Sequence, residues 1–309
     1  MHMNQEIELR HLRYFVAVAE ELHFGRAAQR LHLSQPPLSQ QIRRLEELLG
    51  YPLFVRTTRA VRLTSAGLVF LERARRTLRK MEEDLETTRS VGRGEEGSLS
   101  VGFIGSGMLT GLPAMLGYYR AHFPKVGLQL YEFHTSGAIR GLQDGSLDVA
   151  FLRDGGPAEG LMVETLFSEP FRAILPASHA LARRSTRRAI DAAELRDEPF
   201  VFFPLSAGRL AYETPISICE AAGFRPRVVQ EAPQWLTIVR LVGAGLGVSI
   251  APRCVERILT QDVACRRLRV KPGTEQAQSR IELAWRRDEN RPIVETFCRL
   301  ARKKLMRGA

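Results

Sequence analysis

Hydrophobic positions recur at helical spacing through the first ninety residues. Leu12, Phe15, Val16 and Ala19 form the apolar side of a first helix of about three turns that ends near Glu21-Leu22. Gly25 to Leu31 predicts a short second helix whose Ala27 and Ala28 let a neighbour approach closely, and His32-Leu33-Ser34 predicts a turn. Ser34 reads as an N-cap, with Pro36 and Pro37 in the first turn of a third helix, where missing amide hydrogens cost little. Along that helix Leu38, Ile42, Leu45 and Leu49 share one narrow face, while Pro36, Ser39, Gln40 and Arg43 lie opposite. Leu53 to Leu63 predicts two short strands around a Thr/Arg-rich tip. Thr64 then caps a long helix from Ser65 to about Arg89, in which Gly67, Leu71, Ala74, Leu78, Met81 and Leu85 alternate at spacings of four and three. Such a seam predicts pairing with a second copy of the chain.

The pattern changes after Val91 to Ser98, a Gly-rich polar stretch that reads as a hinge. Beyond it, short apolar runs alternate with helix-period segments, an α/β signature. Residues 98–152 read as strand, helix, strand, helix, strand, which right-handed crossovers would make a parallel sheet. The strand-end loops hold Ile104-Gly105-Ser106-Gly107, Thr135-Ser136 and Arg153, and such loops are where open α/β sheets bind ligands. A second αβ set places Phe203, Leu205, Ser206 and Trp235 on a facing wall, and Ile281 to Trp285 with Ile293 to Leu305 return to the first lobe. The expected organisation is a helical unit with a two-stranded tip over 1–64, a linker helix over 65–91, a hinge over 92–97 and a two-lobed domain over 98–309. Its lobe I spans about 98–168 and 275–309, and lobe II about 169–274.

Composition narrows the function. The 309 residues are 44% hydrophobic and 26% charged, which predicts a packed fold and excludes a disordered chain. The start of the chain lacks a basic, apolar secretion signal, and the four cysteines stand far apart with no C-x-x-C, so buried reduced thiols in a cytoplasmic protein are expected. A net charge of +11 favours a polyanionic partner, but residues 1–96 carry only 16 Lys and Arg against 13 Asp and Glu, so the case for DNA rests on local pattern. The seven histidines are scattered, and neither G-x-S-x-G nor H-E-x-x-H occurs, so neither an enzyme nor a cofactor or metal is expected. A tethered enzyme and a constitutive DNA-binding protein with an empty cleft are the competing readings.

The third helix carries the chemistry for reading a duplex. Early residues of the second helix of a helix-turn-helix reach base edges, where Gln and Arg make bidentate bonds and a flat Pro meets a thymine methyl. Ser34, Gln35, Pro36, Pro37, Ser39, Gln40 and Arg43 are the candidates, with Arg56, Thr57 and Arg59 on the wing for phosphate. In the second domain, Ser and Thr hydroxyls beside helix starts and an Arg fork suit a carboxylate. Helix capping by Ser106 and Thr135, and an internal ion pair for Arg153, are the plainer alternatives.

The stretches Phe24-Gly25-Arg26-Ala27-Ala28, Ser34-Gln35-Pro36-Pro37-Leu38-Ser39, Leu53-Phe54-x-Arg56 and Leu63-Thr64-x-Ala66-Gly67 resemble the N-terminal signature of LysR-type transcriptional regulators. The resemblance implies a winged helix-turn-helix, a dimerising linker helix and a two-lobed effector domain of the periplasmic-binding-protein type. It also implies a homodimer, commonly assembled into a tetramer that bends promoter DNA, with RNA polymerase as a further partner and no membrane attachment. Gly102 to Ser106, Leu130-Tyr131-Glu132-x-x-Thr135 and Asp148-x-x-Phe151-x-Arg153 are similar to members that sense muconate or chloroaromatic-pathway acids. That similarity implies Ser106, Thr135 and Arg153 in an inducer site.

Overall fold

The computed structural model describes residues 7–57, 60–185, 188–269 and 278–306, and they form two compact units divided between Arg89 and Ser90. In the first unit, helices α1 (Leu9–Glu21), α2 (Phe24–Arg30) and α3 (Gln35–Leu49) precede strands β1 (Phe54–Arg56) and β2 (Val61–Leu63) and the long helix α4 (Ser65–Gly92). The apolar periodicity has its expected result: Phe15, Val18, Ala27, Leu38, Ile42 and Leu45 bury together in one core. β1 and β2 pair antiparallel, Phe54 opposite Leu63, to make the wing.

The seam on α4 needs a correction. Ala74 is buried in this unit's own core and Leu71 packs against it, because the first turns of α4 lie against α1 and the wing, with Phe70 on Phe15 and Arg75 paired with Glu20. Gly67 fixes that approach, since a Cβ there would come within 2.1 Å of the Leu53 carbonyl oxygen. Gly67, Leu71 and Ala74 therefore serve the domain core, and only Leu78, Met81 and Leu85 stay outside it.

The second unit contains α5 (Leu112–His122), α6 (Thr135–Gln143), α7 (Arg209–Ala221), α8 (Trp235–Gly243) and α9 (Pro292–Leu305). Its strands are β3 (Glu96–Phe103), β4 (Lys125–Glu132), β5 (Val149–Arg153), β6 (Leu161–Pro176), β7 (Ile190–Asp191), β8 (Pro199–Phe202), β9 (Arg227–Glu231), β10 (Ser249–Pro252), β11 (Val263–Arg269) and β12 (Gln278–Arg286). β3 pairs in parallel with both β4 and β5, as the strand–helix alternation predicts. The sheet as a whole is mixed, however, because β12 inserts antiparallel between β5 and β6. The 16-residue β6 runs through both lobes, so the lobe boundary expected near residue 168 falls inside a continuous strand. β8 and β9 form a separate parallel pair in lobe II.

The expected hinge is not free chain. Ser90 is buried, Thr296 Oγ on α9 donates to the Arg93 carbonyl at 3.4 Å, and β3 already begins at Glu96, which ties this stretch to lobe I. No helix among the described residues is long and apolar enough to cross a membrane.

Candidate functional site: a reading helix and an interlobe cleft

Helix α3, the candidate reading helix, is held by its back and open at its front. Leu38, Ile42 and Leu45 are fully buried, while Ser34, Gln35, Pro36, Pro37, Gln40 and Arg43 are exposed and Ser39 is half-buried. Two polar clamps set its position. His11, buried on α1, donates from Nε2 to Gln41 Oε1 at 3.0 Å while its Nδ1 accepts the Glu8 amide at 2.9 Å, so the ring is the neutral Nε2–H tautomer. Near the helix end, Glu46 Oε1 accepts the Leu53 and Phe54 amides at 2.9 and 3.1 Å, and its Oε2 pairs with Arg56 at 2.5 Å. None of the side chains of Gln35, Gln40 and Arg43 hydrogen-bonds to any described residue.

Ser34 stands at the N-cap position of α3, yet its hydroxyl caps nothing. A cap oxygen accepts from the amides two and three residues on, and here those residues are Pro36 and Pro37, which have none. The two sequence signals for a helix start therefore cancel, and the hydroxyl stays free at the exposed edge. Arg56 departs from expectation in the opposite sense: it is committed to Glu46 and lies over the Phe24 ring at 4.9 Å, a strut between wing and helices instead of a free phosphate contact. Thr57 is exposed and closes the wing tip against Ala60, its Oγ accepting the Ala60 amide at 3.0 Å. Arg59 lies outside the described residues.

The second site is a cleft in the second unit with an empty volume of about 570 Å³, part of it open to solvent. It brings together Ile104, Ser106, Thr135, Arg153, Phe203 and Trp235. Phe133, Phe171 and Pro252 extend the apolar wall, and Phe203 meets Trp235 edge to face at 4.6 Å. Leu205 and Ser206 do not line this cavity; both are exposed at its mouth.

The polar floor is a closed hydrogen-bond system centred on Arg153, which is 5% exposed. Arg153 Nε donates to Ser106 Oγ at 2.9 Å, and its terminal nitrogens reach Glu169 Oε1 at 2.9 Å, Ser279 Oγ at 2.5 Å and Cys254 Sγ at 3.4 Å. Thr135 Oγ donates to the Arg153 carbonyl at 2.9 Å. Ser106 and Thr135 thus cap no helix; they brace Arg153, whose expected free fork is occupied by Glu169. Asp154 adds a second buried carboxylate, accepting from Ser279 Oγ at 2.9 Å and from the Arg280 amide at 2.7 Å. Burial raises the Asp154 carboxyl above its ordinary range, against the lowering effect of those bonds and of Arg153. Burial likewise pushes the Cys254 thiol up to about 12, so it is a neutral partner of Arg153 behind the cleft surface and not a nucleophile.

Glu169, Cys254 and Ser279 were missed from sequence because they come from β6, the turn after β10 and β12, over a hundred residues apart in part. The one local signal was Glu169 itself, an acidic residue next to Pro170 in the largely apolar Leu166 to Ile174 run. Among the described residues no cluster of His, Cys, Asp and Glu could hold a metal ion.

Residues 9–68 match the family described as bacterial regulatory helix-turn-helix protein, lysR family, and residues 92–306 match the LysR substrate binding domain. The chain is 39% identical over 297 residues to the HTH-type transcriptional regulator AlsR of Bacillus subtilis (strain 168), covering 96% of this chain and 95% of that protein. It is 36% identical over 294 residues to the HTH-type transcriptional regulator ClcR of Pseudomonas putida, covering 95% and 98%. The crystal structure of CbnR, a LysR family transcriptional regulator, is similar with a TM-score of 0.82 at 29% identity, covering 96% of this chain and 100% of that one. Full-length CbnR complexed with its target DNA is similar with a TM-score of 0.79 at 29% identity, covering 97% and 100%. These families and relatives are transcriptional regulators and not enzymes.

Proposed function

The chain belongs to the LysR family of DNA-binding transcriptional regulators with an effector-binding domain, and from that premise we propose that α3 reads promoter DNA while the interlobe cleft takes a small organic acid. The polar edge formed by Ser34, Gln35, Pro36, Gln40 and Arg43, with Ser39 half-buried beside them, carries the reading, since an edge this polar with a leucine-anchored back fits a major groove. Arg59 on the wing supplies a phosphate contact. Two copies pair through Leu78, Met81 and Leu85 of α4, and a dimer of such dimers bends the promoter in the cytoplasm, where it meets RNA polymerase.

For the cleft, an apolar wall of Phe203, Phe171 and Trp235 together with the start of α6 at Thr135 supports a compact carboxylate with a flat or unsaturated body, such as an aromatic-catabolism intermediate. The saturation of Arg153 by Glu169 favours a second reading, a constitutive regulator whose cleft holds no ligand. Titrating promoter DNA at several salt concentrations and screening small carboxylates by thermal shift tests both halves. A ligand selective for the folded domain raises its melting temperature, and promoter binding indifferent to sequence would remove the base-reading role of α3.

A further inference from the structure

The lobes are joined through the chain on one side of the cleft, where β6 passes continuously from one to the other. On the open side a different device spans the gap. The short turn Leu205–Ala207 of lobe II lies across the mouth with Ala207 facing the cavity and Leu205 turned outward, 55% exposed. Ser136, the second residue of α6 in lobe I, donates from Oγ to the Ser206 carbonyl at 2.9 Å. Among the described residues this is the polar contact between lobes at the mouth. Immediately beyond it, Gly208 has φ +155°, and a Cβ there would stand 3.3 Å from Thr135 Cβ. Only glycine adopts that backbone without strain, so the strap ends in a joint able to swing and to close tightly on lobe I.

We propose that residues 204–208 are a gate over the effector cleft and that Ser136 is its latch. The proposal rests on the reading of this cleft as the effector site, and it moves Leu205 and Ser206 from the ligand wall to the moving cover. The bond suits a latch physically. It is neutral, it sits where water replaces it as soon as the strap lifts, and it commits no buried charge, so opening is cheap and fast. The contacts on the floor of the cleft are the reverse: Arg153 and Glu169 are a buried ion pair that a brief opening leaves intact.

The gate is tested without any effector. The chain has two tryptophans, Trp235 in the cleft and Trp285 on β12, so Trp285→Phe leaves Trp235 as the sole reporter, 9% exposed beneath the strap. Acrylamide quenching of its emission in the full-length protein then reads how often the mouth opens. Ser136→Ala raises the quenching constant about fivefold, the population shift that corresponds to loss of about 1 kcal/mol. Ser136→Thr, which keeps a hydroxyl, stays within about twofold of the parent. Gly208→Ala also raises quenching, because its methyl props the strap off Thr135. An unchanged constant in Ser136→Ala, or equal rises in the Ala and Thr variants at equal melting temperatures, overturns the latch while leaving the effector reading untouched. Should Ser136→Ala fold poorly, Gly208→Ala alone decides: protection equal to the parent overturns the gate.

Discussion

The two sites treat their polar groups in opposite ways. On α3, Gln35, Gln40 and Arg43 are exposed with no hydrogen-bond partner among the described residues, whereas in the cleft Arg153, Ser106, Thr135, Ser279, Glu169 and Asp154 satisfy one another before any ligand arrives. The difference follows from solvent. An exposed donor is hydrated at no cost and waits for a base or phosphate, but a buried guanidinium without a counter-charge is prohibitive, so the cleft must carry its own anion. A site for a macromolecule can leave its recognition groups free; a buried site for a small molecule pairs them in advance, and its ligand must compete with or join an existing network.

The comparison is broken most forcefully inside the cleft. Glu169→Ala removes the acceptor of both Arg153 and the Cys254 amide and leaves a buried cation unpaired, so we expect the effector domain to lose about 3–5 kcal/mol in denaturant or thermal unfolding. Arg153→Ala strands Glu169 in the same way, and a loss of acid response in that variant reports damage to the floor as well as to ligand contact. On the reading helix the same truncation is harmless to folding: Arg43→Ala is expected to keep the melting temperature, cost about 1–3 kcal/mol at the operator and flatten preference at one base pair, measured by competition binding. Arg56→Ala separates the two regimes. As a strut to Glu46 it lowers stability while leaving the salt slope of DNA binding unchanged, and a slope reduced by about one would return Arg56 to the phosphates.

A smaller effect, partly screened by solvent, tests paired carboxylates away from the cleft. Glu289 accepts from Arg291 Nε at 3.0 Å and from the Arg291 amide at 2.9 Å, and pairs with Arg286 at 2.9 Å. Hydrogen bonding from Arg291, ahead of the opposing effect of burial, lowers its carboxyl to about 2 from an ordinary 4.5. Because the folded-state value lies below the unfolded one, the stabilisation is present above pH 4.5 and is lost as pH falls toward 2. Asp154 works with the opposite sign: raised in the fold, it opposes folding when ionised and relents in acid. Glu289→Gln should therefore flatten the acid limb of the stability curve, and an unaltered limb would assign acid sensitivity to other carboxylates.

Most of the first unit was legible because its information is local. A leucine every three or four residues, a pair of alanines where a helix approaches and a proline pair at a helix start each act within a turn or two. The strand–helix alternation of lobe I was legible for the same reason. The middle of the sheet was not: β12 enters between β5 and β6 from the far end of the chain, and nothing in Ile281 to Trp285 states which edge it joins. The cleft floor was half legible, since Ser106, Thr135 and Arg153 sit at strand ends while their partners come from β6 and β12. The seam on α4 misled because an apolar stripe records that a face is covered and not by what; for Gly67, Leu71 and Ala74 the cover is the core of the chain's own first unit.

Helix starts give the finest version of the comparison between groups already partnered and groups left free. His23 and Ser34 occupy the N-cap positions of α2 and α3. His23, a residue that cap statistics do not favour, accepts the Gly25 and Arg26 amides on Nδ1 at 3.0 and 3.2 Å. Ser34, a residue they do favour, accepts nothing because Pro36 and Pro37 offer no hydrogen. His23→Ala should thus cost about 1 kcal/mol of stability, with His23→Asn restoring most of it, whereas Ser34→Ala should change stability by less than about 0.5 kcal/mol. Ser34→Ala should instead weaken DNA binding, since its hydroxyl is free for a phosphate. Equal destabilisation by the two alanines would mean that Ser34 caps α3 after all, and its place among the unpartnered groups of the reading edge would be lost.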